Sequence, residues 1–446
     1  YHFPSDRITV NLAPADIKKE GSAFDLPMAL GILAATGLID TADYADHIFL
    51  GELALDGMIR PVKGVLSMAI AARERGLKGM FLPAENAGEA AVVDGIPIYP
   101  VKTLSQVISV LRGDVTLSPV QSKIDHFFER ALFDVDFMDV RGQEHAKRAL
   151  EIAAAGGHNV IMIGPPGSGK TMLAKRLPTI LPPLRFEESL ETSKIYSVMG
   201  LMPNGAGLIT ARPFQAPHHT ISDAGLIGGG QHPKPGQVSL AHHGVLFLDE
   251  LPEFRRNVLE VLRQPMEEGE VIISRATSTV SYPADFMLVA AMNPCPCGYH
   301  GDSDGRCRCT PEQIRRYRTR ISGPLLDRID LQIEVPRPTW DQLQGPPGEP
   351  SAAVRERVEA ARGRQRCRGT VNAELQGETL TSHCRLSPPD RHLLQQVLEK
   401  LGLSARAYHR ILRVARTIAD LDHAEHIATD HLTEAIQYRC LDRGPA

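Results

Sequence analysis

The residues from 164 to 171 carry the strongest chemical signal in the chain. They are Gly164, Pro165, Pro166, Gly167, Ser168, Gly169, Lys170 and Thr171. Together they match the pattern G-x-x-x-x-G-K-[ST], in which backbone N–H groups at a helix N-terminus surround phosphate oxygens. The lysine then binds the β- and γ-phosphates, and the threonine hydroxyl binds Mg²⁺. The sequence therefore predicts a site for ATP and Mg²⁺.

The residues on either side of this loop favour a functional site. The apolar run 159–163 is typical of a buried parallel strand, and residues 172–177 are good helix formers. The alternative is a Gly-rich turn between a strand and a helix that binds no ligand. The complete pattern in this context argues against that alternative.

An acidic pair ends a second apolar run. Residues 245–248 predict a buried strand, and Asp249 and Glu250 follow it. At the carboxyl edge of a sheet, Asp249 can hold Mg²⁺ and Glu250 can polarise the water that attacks the γ-phosphate. Such a pair also occurs as a helix N-cap, but the phosphate-binding pattern upstream favours the catalytic role.

A third apolar run, 286–292, ends at Asn293. If its strand lies between the other two, the Asn293 amide is placed to orient water near the γ-phosphate. An Asn-Pro pair by itself is only a turn signal. The role of Asn293 therefore depends on the order of the strands.

The succession of periodic segments predicts an α/β protein with three domains. Residues 1–115 alternate short β-branched runs with Ala-rich helical runs, and residues 126–337 alternate strands and helices around a parallel sheet. A Gly- and Pro-rich linker at 344–350 precedes a helical block at 352–446. Because the sequence begins at Tyr1 with a strand-like run close behind, we expect a fragment that lacks its natural N-terminus.

The composition is ordinary for a soluble globular protein, with 43% hydrophobic and 23% charged residues. No run of 18 apolar residues occurs, so we expect no membrane span. The net charge of −4 gives no global sign of nucleic-acid binding, so any such site must be local. Seven cysteines are an odd number that argues against a secreted disulfide framework, and with an ATP site they favour a cytoplasmic protein.

Four cysteines form two close pairs that suit a metal ion. Cys295 and Cys297 are separated from Cys307 and Cys309 by nine residues. Four thiolates suit a structural, tetrahedral Zn²⁺ and leave no open position for catalysis. The C-x-C spacing is tighter than the usual one, so free thiols and disulfides remain alternatives. The histidine pairs at 218–219 and 242–243 are interpreted as loop geometry.

Several segments together resemble the magnesium-chelatase-related AAA+ ATPases, and among them the ComM/YifB family. The segments are 214–220 (FQAPHHT), 235–244, 293–298 (NPCPCG), 316–328 and 404–419. The resemblance covers essentially the whole chain. It implies an AAA+ P-loop core with a C-terminal helical lid, preceded by a Lon-protease-like α/β domain of the S5 type.

The resemblance also implies roles for residues that spacing alone does not single out. Asn293 matches the sensor-1 asparagine, and Arg406 matches the sensor-2 helix, with Arg410 as a second candidate. Arg328 matches the arginine finger that completes the site of a neighbouring subunit. A surface ion pair between Arg328 and an aspartate beside it is the alternative.

The function that the family implies is ATP hydrolysis coupled to movement of DNA. The expected assembly is a hexameric ring, a translocase or helicase that promotes branch migration in homologous recombination during natural transformation. Its partner is single-stranded, duplex or branched DNA. The alternative is a chelatase-type motor that remodels a protein partner for metal insertion, although the Lon-like front domain and the four cysteines favour the first.

The front domain lacks the chemistry of its relatives. Lon-type proteolysis needs a serine nucleophile and a lysine base, and these positions fall at Ala23 and Leu66. Ser22 and Lys63 lie nearby but off-register. We therefore expect a non-proteolytic scaffold or DNA-handling module and not an ATP-dependent protease.

Local basic segments suggest where DNA is bound. From 306 to 328 the chain has seven arginines against two acids, and from 355 to 368 it has six arginines against two glutamates. The second cluster is equally well a solvated helix face. Arg275, near the tip of a hairpin predicted at 270–280, and Lys234, in the Gly-rich segment 226–237, are the predicted DNA contacts, because similar insertions line the pore of MCM helicases. A plain flexible connection is the alternative for the Gly-rich segment.

Overall fold

The packing of the chain divides it into two units. The computed structural model describes residues 7–12, 21–120, 133–203, 205–230, 233–274, 279–301 and 305–439. The front unit comprises Tyr1–Ala131 and Arg185–Thr210, and the main unit comprises Leu132–Leu184 and Ala211–Ala446.

The strands of the described residues are mostly short. They are β1 (His47–Phe49), β2 (Glu52–Leu53), β3 (Ile59–Arg60), β4 (Gly79–Pro83), β5 (Ile98–Val101), β6 (Val160–Ile163), β7 (Phe214–Gln215), β8 (Gly228–Gly229), β9 (Lys234–Pro235), β10 (Val245–Leu248), β11 (Glu270–Ser274), β12 (Thr279–Pro283), β13 (Met287–Met292) and β14 (Leu331–Glu334).

The α-helices of the described residues vary in length from 4 to 17 residues. They are α1 (Asp25–Ala35), α2 (Val65–Glu74), α3 (Ala87–Ala90), α4 (Leu104–Leu111), α5 (Glu144–Gly156), α6 (Lys170–Ile180), α7 (Phe186–Met199), α8 (Asp223–Ile227), α9 (Gln237–Leu240), α10 (Arg256–Glu260), α11 (Pro265–Glu268), α12 (Pro311–Arg318), α13 (Gly323–Leu326), α14 (Trp340–Gln344), α15 (Ser351–Cys367), α16 (Gly377–His383), α17 (Pro388–Leu401), α18 (Ala405–Leu421) and α19 (Thr429–Gln437).

A three-stranded parallel sheet in the order β1-β4-β5 forms the centre of the front unit. Every residue of β4 is buried. Met80 and Leu82 belong to one apolar cluster and Phe81 to another, because successive side chains of a strand point to opposite faces. Apolar cover on both faces explains why β4 has no polar face.

The segment 185–210 belongs to the front unit although it follows the first part of the main unit in sequence. Its helix α7 packs against α2, where Leu190 joins the apolar cluster of Leu66. The buried Glu89 carboxylate accepts hydrogen bonds from Ser197 Oγ and, at 3.0 Å, from the Leu66 N–H. The segment falls within the domain predicted at 126–337, whereas its packing partners lie in the front unit.

The main unit is built on a five-stranded sheet in the order β14-β6-β13-β10-β7. All neighbouring strands of this sheet are parallel. In β6, Val160 and Met162 face one apolar cluster, and Ile161 and Ile163 face the other. The continuous apolar runs of the sequence therefore reflect a sheet that is buried on both faces.

Helices from the C-terminal block pack onto α5, which itself contacts β14 of this sheet. Helices α15 and α18 pack against α5 and against each other. Small side chains on α5, such as Ala149 and Ala153, belong to the same cluster as Val358 and Ile411 and allow close approach. The α/β fold class, with a parallel sheet followed by C-terminal helices, is confirmed. Within the residues described, none of the helices combines the length and apolar character needed to cross a membrane.

Candidate active site

The segment 164–169 connects β6 to α6 at the carboxyl edge of the main sheet. Gly169 caps the helix with φ 89°, in the left-handed region that favours glycine. The first N–H groups of an α-helix have no partner within the helix, and the dipole places partial positive charge there. This end of α6 is therefore suited to bind phosphate.

Lys170 folds back over the loop that precedes it. Its Nζ donates hydrogen bonds to the carbonyl oxygens of Gly164 at 2.7 Å and Pro165 at 3.0 Å. Burial lowers the pKa of Lys170, against the opposing effect of the carboxylates of Asp249 and Glu250. Phosphate oxygens are stronger partners for an ammonium group than neutral carbonyls are, because both partners are then charged.

Thr171 and Asp249 meet at this edge from two different elements. Thr171 Oγ1 donates a hydrogen bond to Asp249 Oδ2 at 2.7 Å. The other carboxylate oxygen of Asp249 accepts from the Glu250 N–H at 2.9 Å. Hydroxyl and carboxylate oxygens are ligands that Mg²⁺ prefers, so the pair can hold the ion beside a bound triphosphate.

Asn293 lies between the two motifs. Its strand β13 runs between β6 and β10, and because the three strands are parallel, their carboxyl ends reach the same edge. Asn293 Oδ1 is 3.4 Å from Lys170 Nζ. The structure thus brings together Lys170, Thr171, Asp249 and Asn293, which the sequence analysis singled out from three separate segments.

Glu250 contacts His219, a residue that was interpreted from the sequence as loop geometry. Glu250 has φ 53°, which is uncommon for a residue other than glycine, and its side chain is 55% exposed. His219 Nδ1 lies 3.5 Å from Glu250 Oε2. His219 follows β7, the strand paired with β10, but β7 has only two residues and gives a weak signal in the sequence.

Arg328 lies at the opposite edge of the sheet. Its carbonyl oxygen accepts from Asn159 Nδ2 at 3.0 Å, and Asn159 precedes β6 whereas the phosphate-binding loop follows it. Four strand residues separate the two edges by about 13 Å. The guanidinium donates to the Glu267 carboxylate and, at 2.6 Å, to the Pro324 carbonyl oxygen. Arg328 is therefore remote from the phosphate-binding loop of its own chain.

The expected alternative for Arg328, an ion pair with a neighbouring aspartate, is replaced by the pair with Glu267. Asp327 and Asp330 pair instead with Arg406 and Arg410. Burial is the main factor that lowers the pKa of Arg328.

The two sensor-2 candidates differ in exposure. The Arg406 side chain is 69% exposed and donates to Asp327 Oδ2 at 3.1 Å. Arg410 Nε lies 3.5 Å from Asp330 Oδ1, and burial lowers the pKa of Arg410 to about 10. Because Asp327 adjoins Arg328, Arg406 lies at the Arg328 edge, and the structure does not bring it to Lys170.

The four cysteines lie together beyond Asn293. Their Sγ atoms are all within 4.8 Å of one another. The Sγ of Cys295 is 3.3 Å from that of Cys297 and 3.8 Å from that of Cys307, and Cys297 and Cys307 are 3.6 Å apart. The N–H groups of Arg308 and Tyr299 are the main factors that lower the pKa of Cys297 to about 6. The cluster can bind a metal ion.

Of the two predicted DNA contacts, Lys234 lies within the described residues and Arg275 does not. Lys234 is exposed in β9, which pairs with β8. Arg275 lies outside the described residues, between β11 and β12, whose antiparallel register forms the predicted hairpin. In the 355–368 cluster, Arg357 pairs with Glu151 and Glu349, so part of that charge is neutralised within the main unit.

The positions that correspond to the Lon nucleophile and base are apolar and packed. Leu66 is fully buried, and Ala23 packs against the same cluster. The Ser22 hydroxyl donates to the Glu52 carboxylate, and Lys63 is exposed.

The strand order, the loop after β6 and the acidic pair after β10 define the main unit as an AAA+ P-loop core. Models of magnesium-chelatase families match three stretches of the chain. Magnesium chelatase, subunit ChlI, matches residues 136–343, its C-terminal family matches 348–439, and subunit ChlI of Mg-chelatase matches 1–86. Members of the AAA+ class bind a nucleotide with Mg²⁺, and the family supports ATPase activity.

Comparison with known proteins narrows this class. The competence protein ComM of Haemophilus influenzae is 48% identical over 99% of this chain and 87% of its own length. YifB of Escherichia coli is 45% identical with the same coverage. The magnesium-chelatase 38 kDa subunit of Rhodobacter capsulatus is 24% identical over 69% of this chain and 88% of its own length. The chain belongs to the ComM/YifB family, and the resemblance found in the sequence is confirmed.

Proposed function

We propose that this protein is a cytoplasmic, ATP-hydrolysing DNA translocase that works as a hexameric ring and promotes branch migration during natural transformation. Lys170 binds the phosphates, Thr171 and Asp249 hold Mg²⁺, Glu250 polarises the attacking water, and Asn293 orients it. The link to DNA and competence is supported by the similarity to the competence protein ComM.

The position of Arg328 is the main observation that supports the proposal of a ring. A guanidinium can stabilise the transferring phosphoryl group only at contact distance, and Arg328 lies at the sheet edge away from its own phosphate-binding loop. We therefore propose that Arg328 reaches the ATP bound by a neighbouring subunit. Arg406, at the same edge, is proposed to act on that neighbour as well.

Replacement of this finger tests the ring. We expect Arg328→Ala to bind ATP normally but to hydrolyse it about 10³-fold more slowly or worse, because the transition state loses its finger. The measurement is steady-state turnover together with the Kd for a labelled ATP analogue. Arg391→Ala, an exposed arginine on α17, is the matched control and should behave as wild type.

A mixture of two inactive proteins sharpens this test. A ring with both Arg328→Ala and Lys170→Ala chains contains interfaces in which an intact Lys170 faces an intact Arg328. Turnover should therefore reappear on mixing. A strictly monomeric chain that hydrolyses ATP at full rate would contradict the ring.

DNA dependence tests the substrate. We expect single-stranded or branched DNA to increase ATP turnover, and Lys234→Ala to weaken DNA binding for all sequences and reduce its salt dependence. Lys400→Ala, an exposed lysine on α17, is the control. A turnover rate that no form of DNA changes would exclude the DNA motor.

The second candidate is a chelatase-type motor that remodels a protein partner. It is supported by the three magnesium-chelatase family models that match the chain. The same assay separates the two, because this candidate predicts no response to DNA and a response to a protein partner.

We also propose structural Zn²⁺ at the four cysteines, in preference to free thiols or disulfides. Their convergence supports it. Tetrahedral Zn²⁺ with bonds of about 2.3 Å to sulfur places its ligands about 3.8 Å apart, close to the separations of 3.3, 3.6 and 3.8 Å.

A further inference from the structure

We propose that Zn²⁺ bound by the cysteine loop (residues 295–301 and 305–309) holds the phosphate-binding loop in shape, so that metal occupancy controls the affinity for ATP. The inference rests on the proposed nucleotide and zinc sites. It adds a connection between them that neither site implies by itself.

The cysteine loop is built to hold a cation at its thiols. Cys295 is fully buried, and its Sγ accepts a hydrogen bond from the His300 N–H at 3.3 Å. Donors of this kind stabilise thiolates, which are the form that binds metal.

One end of the cysteine loop touches the phosphate-binding loop directly. Gly298 has φ 85°, and a Cβ added there would lie 2.6 Å from Pro166 Cδ. Only glycine, without a Cβ, permits this approach. Pro166 is the third residue of the phosphate-binding loop, so the two loops are in contact where the phosphates are predicted to bind.

A second connection runs through Tyr299. Its ring lies beneath two guanidinium groups, with the Cζ of Arg337 at 5.3 Å and the Cζ of Arg306 at 5.6 Å from the ring centroid. Arg337 in turn donates from Nε at 3.2 Å and from Nη2 at 3.1 Å to the Pro166 carbonyl oxygen. Tyr299 thereby positions the arginine that holds Pro166.

The cysteine loop is also tied to the water-orienting side chain. Cys295 is two residues beyond Asn293, whose amide oxygen lies 3.4 Å from Lys170 Nζ. A metal ion that fixes Cys295 therefore restricts the chain on which Asn293 sits.

These connections have an energetic consequence. Metal binding by cysteines is coupled to folding of the chain that carries them. Without the ion, residues 295–301 and 305–309 sample more conformations, and the contacts with Pro166 are lost part of the time. ATP then has to order its own binding loop, and this cost reduces affinity.

The first experiment measures metal and nucleotide together on the whole protein. We expect the protein purified with zinc to contain about one Zn²⁺ per chain, since four thiolates fill one tetrahedral ion. Removal of zinc by a zinc-selective chelator, with Mg²⁺ kept in excess, should weaken binding of a non-hydrolysable ATP analogue by about tenfold. Readdition of Zn²⁺ should restore it.

Cysteine variants test whether the four clustered cysteines are the residues that bind the zinc. The double variant Cys297→Ser, Cys309→Ser should lose the zinc. Cys367→Ser, which removes an exposed thiol at the end of α15, should retain both zinc and ATP affinity. Zinc that remains bound to the double variant would overturn the site.

A variant of Tyr299 tests the contact between the cysteine loop and the phosphate-binding loop without removing a metal ligand. Tyr299→Ala should retain zinc but bind the ATP analogue about two- to fivefold more weakly, because the support under Arg337 is lost. Tyr299→Phe keeps the ring and should bind as wild type does. This comparison remains informative if the cysteine variant fails to fold.

Three results would overturn the inference: a protein that takes up no zinc, zinc removal without a change in ATP affinity, or unchanged affinity in Tyr299→Ala. Failure of the proposed function has a different signature. Zinc-loaded protein would then bind ATP tightly and lose affinity for ATP on chelation, but DNA would not change its rate of ATP turnover.

Discussion

The Lys170→Ala protein is expected to bind ATP at least about 10- to 100-fold more weakly than wild type and to show no measurable turnover. A hydrogen bond to a charged group contributes about 1.5–3 kcal/mol, and the Lys170 ammonium is the cation at the start of α6. The same change deletes charge where the γ-phosphate is cleaved. Titration with a fluorescent ATP analogue and a phosphate-release assay give the two values.

Lys175→Ala is the matched control for this variant. Lys175 is exposed on the same helix, α6, so its loss changes net charge equally without touching the loop. Wild-type binding and turnover are expected. If Lys170→Ala retained ATP hydrolysis at the rate of Lys175→Ala, the phosphate-binding assignment would be wrong.

The Glu250→Gln protein should bind ATP with wild-type affinity and hydrolyse it about 10²- to 10⁴-fold more slowly. The amide keeps the shape of the side chain but cannot act as a general base for the attacking water. Bound ATP therefore accumulates uncleaved. A filter-binding assay with radiolabelled ATP, followed by separation of bound ATP and ADP, measures the trapped state.

Glu356→Gln is the control for this second variant. Glu356 is an exposed residue on α15, far from β10 in sequence, and its substitution makes the same change from carboxylate to amide. Retained turnover in Glu356→Gln and lost turnover in Glu250→Gln are expected. Loss of ATP binding in Glu250→Gln would show instead that the residue holds the nucleotide and does not activate water.

The sequence predicts which residues of the main unit meet at the candidate site because most of them belong to local patterns. Lys170 and Thr171 lie within one continuous loop, and Asp249 and Asn293 each follow an apolar strand directly. In a parallel sheet the carboxyl ends of strands share an edge, so a residue at a strand end reaches that edge in any strand order. The proximity of Asn293 to Lys170 depends on the order itself, which places β13 between β6 and β10.

Contacts between distant parts of the chain were harder to predict. The pairing of Arg328 with Glu267 and the position of Arg406 beside Asp327 depend on how helices pack, which periodicity does not encode. The contact of His219 with Glu250 depends on the pairing of the two-residue strand β7 with β10. A two-residue strand gives almost no pattern in the sequence.

The interleaving of the two units limits how the protein can be divided. The chain leaves the main unit at residue 185 and returns to it at residue 211. Within the segment 185–210, Leu190 packs against residues that come much earlier in the chain. An ATPase core produced by a single cut after residue 131 would carry α7 without α2, and its apolar side would be left in water. A separable core requires a second excision, at 185–210, with a short bridge from Leu184 to Ala211.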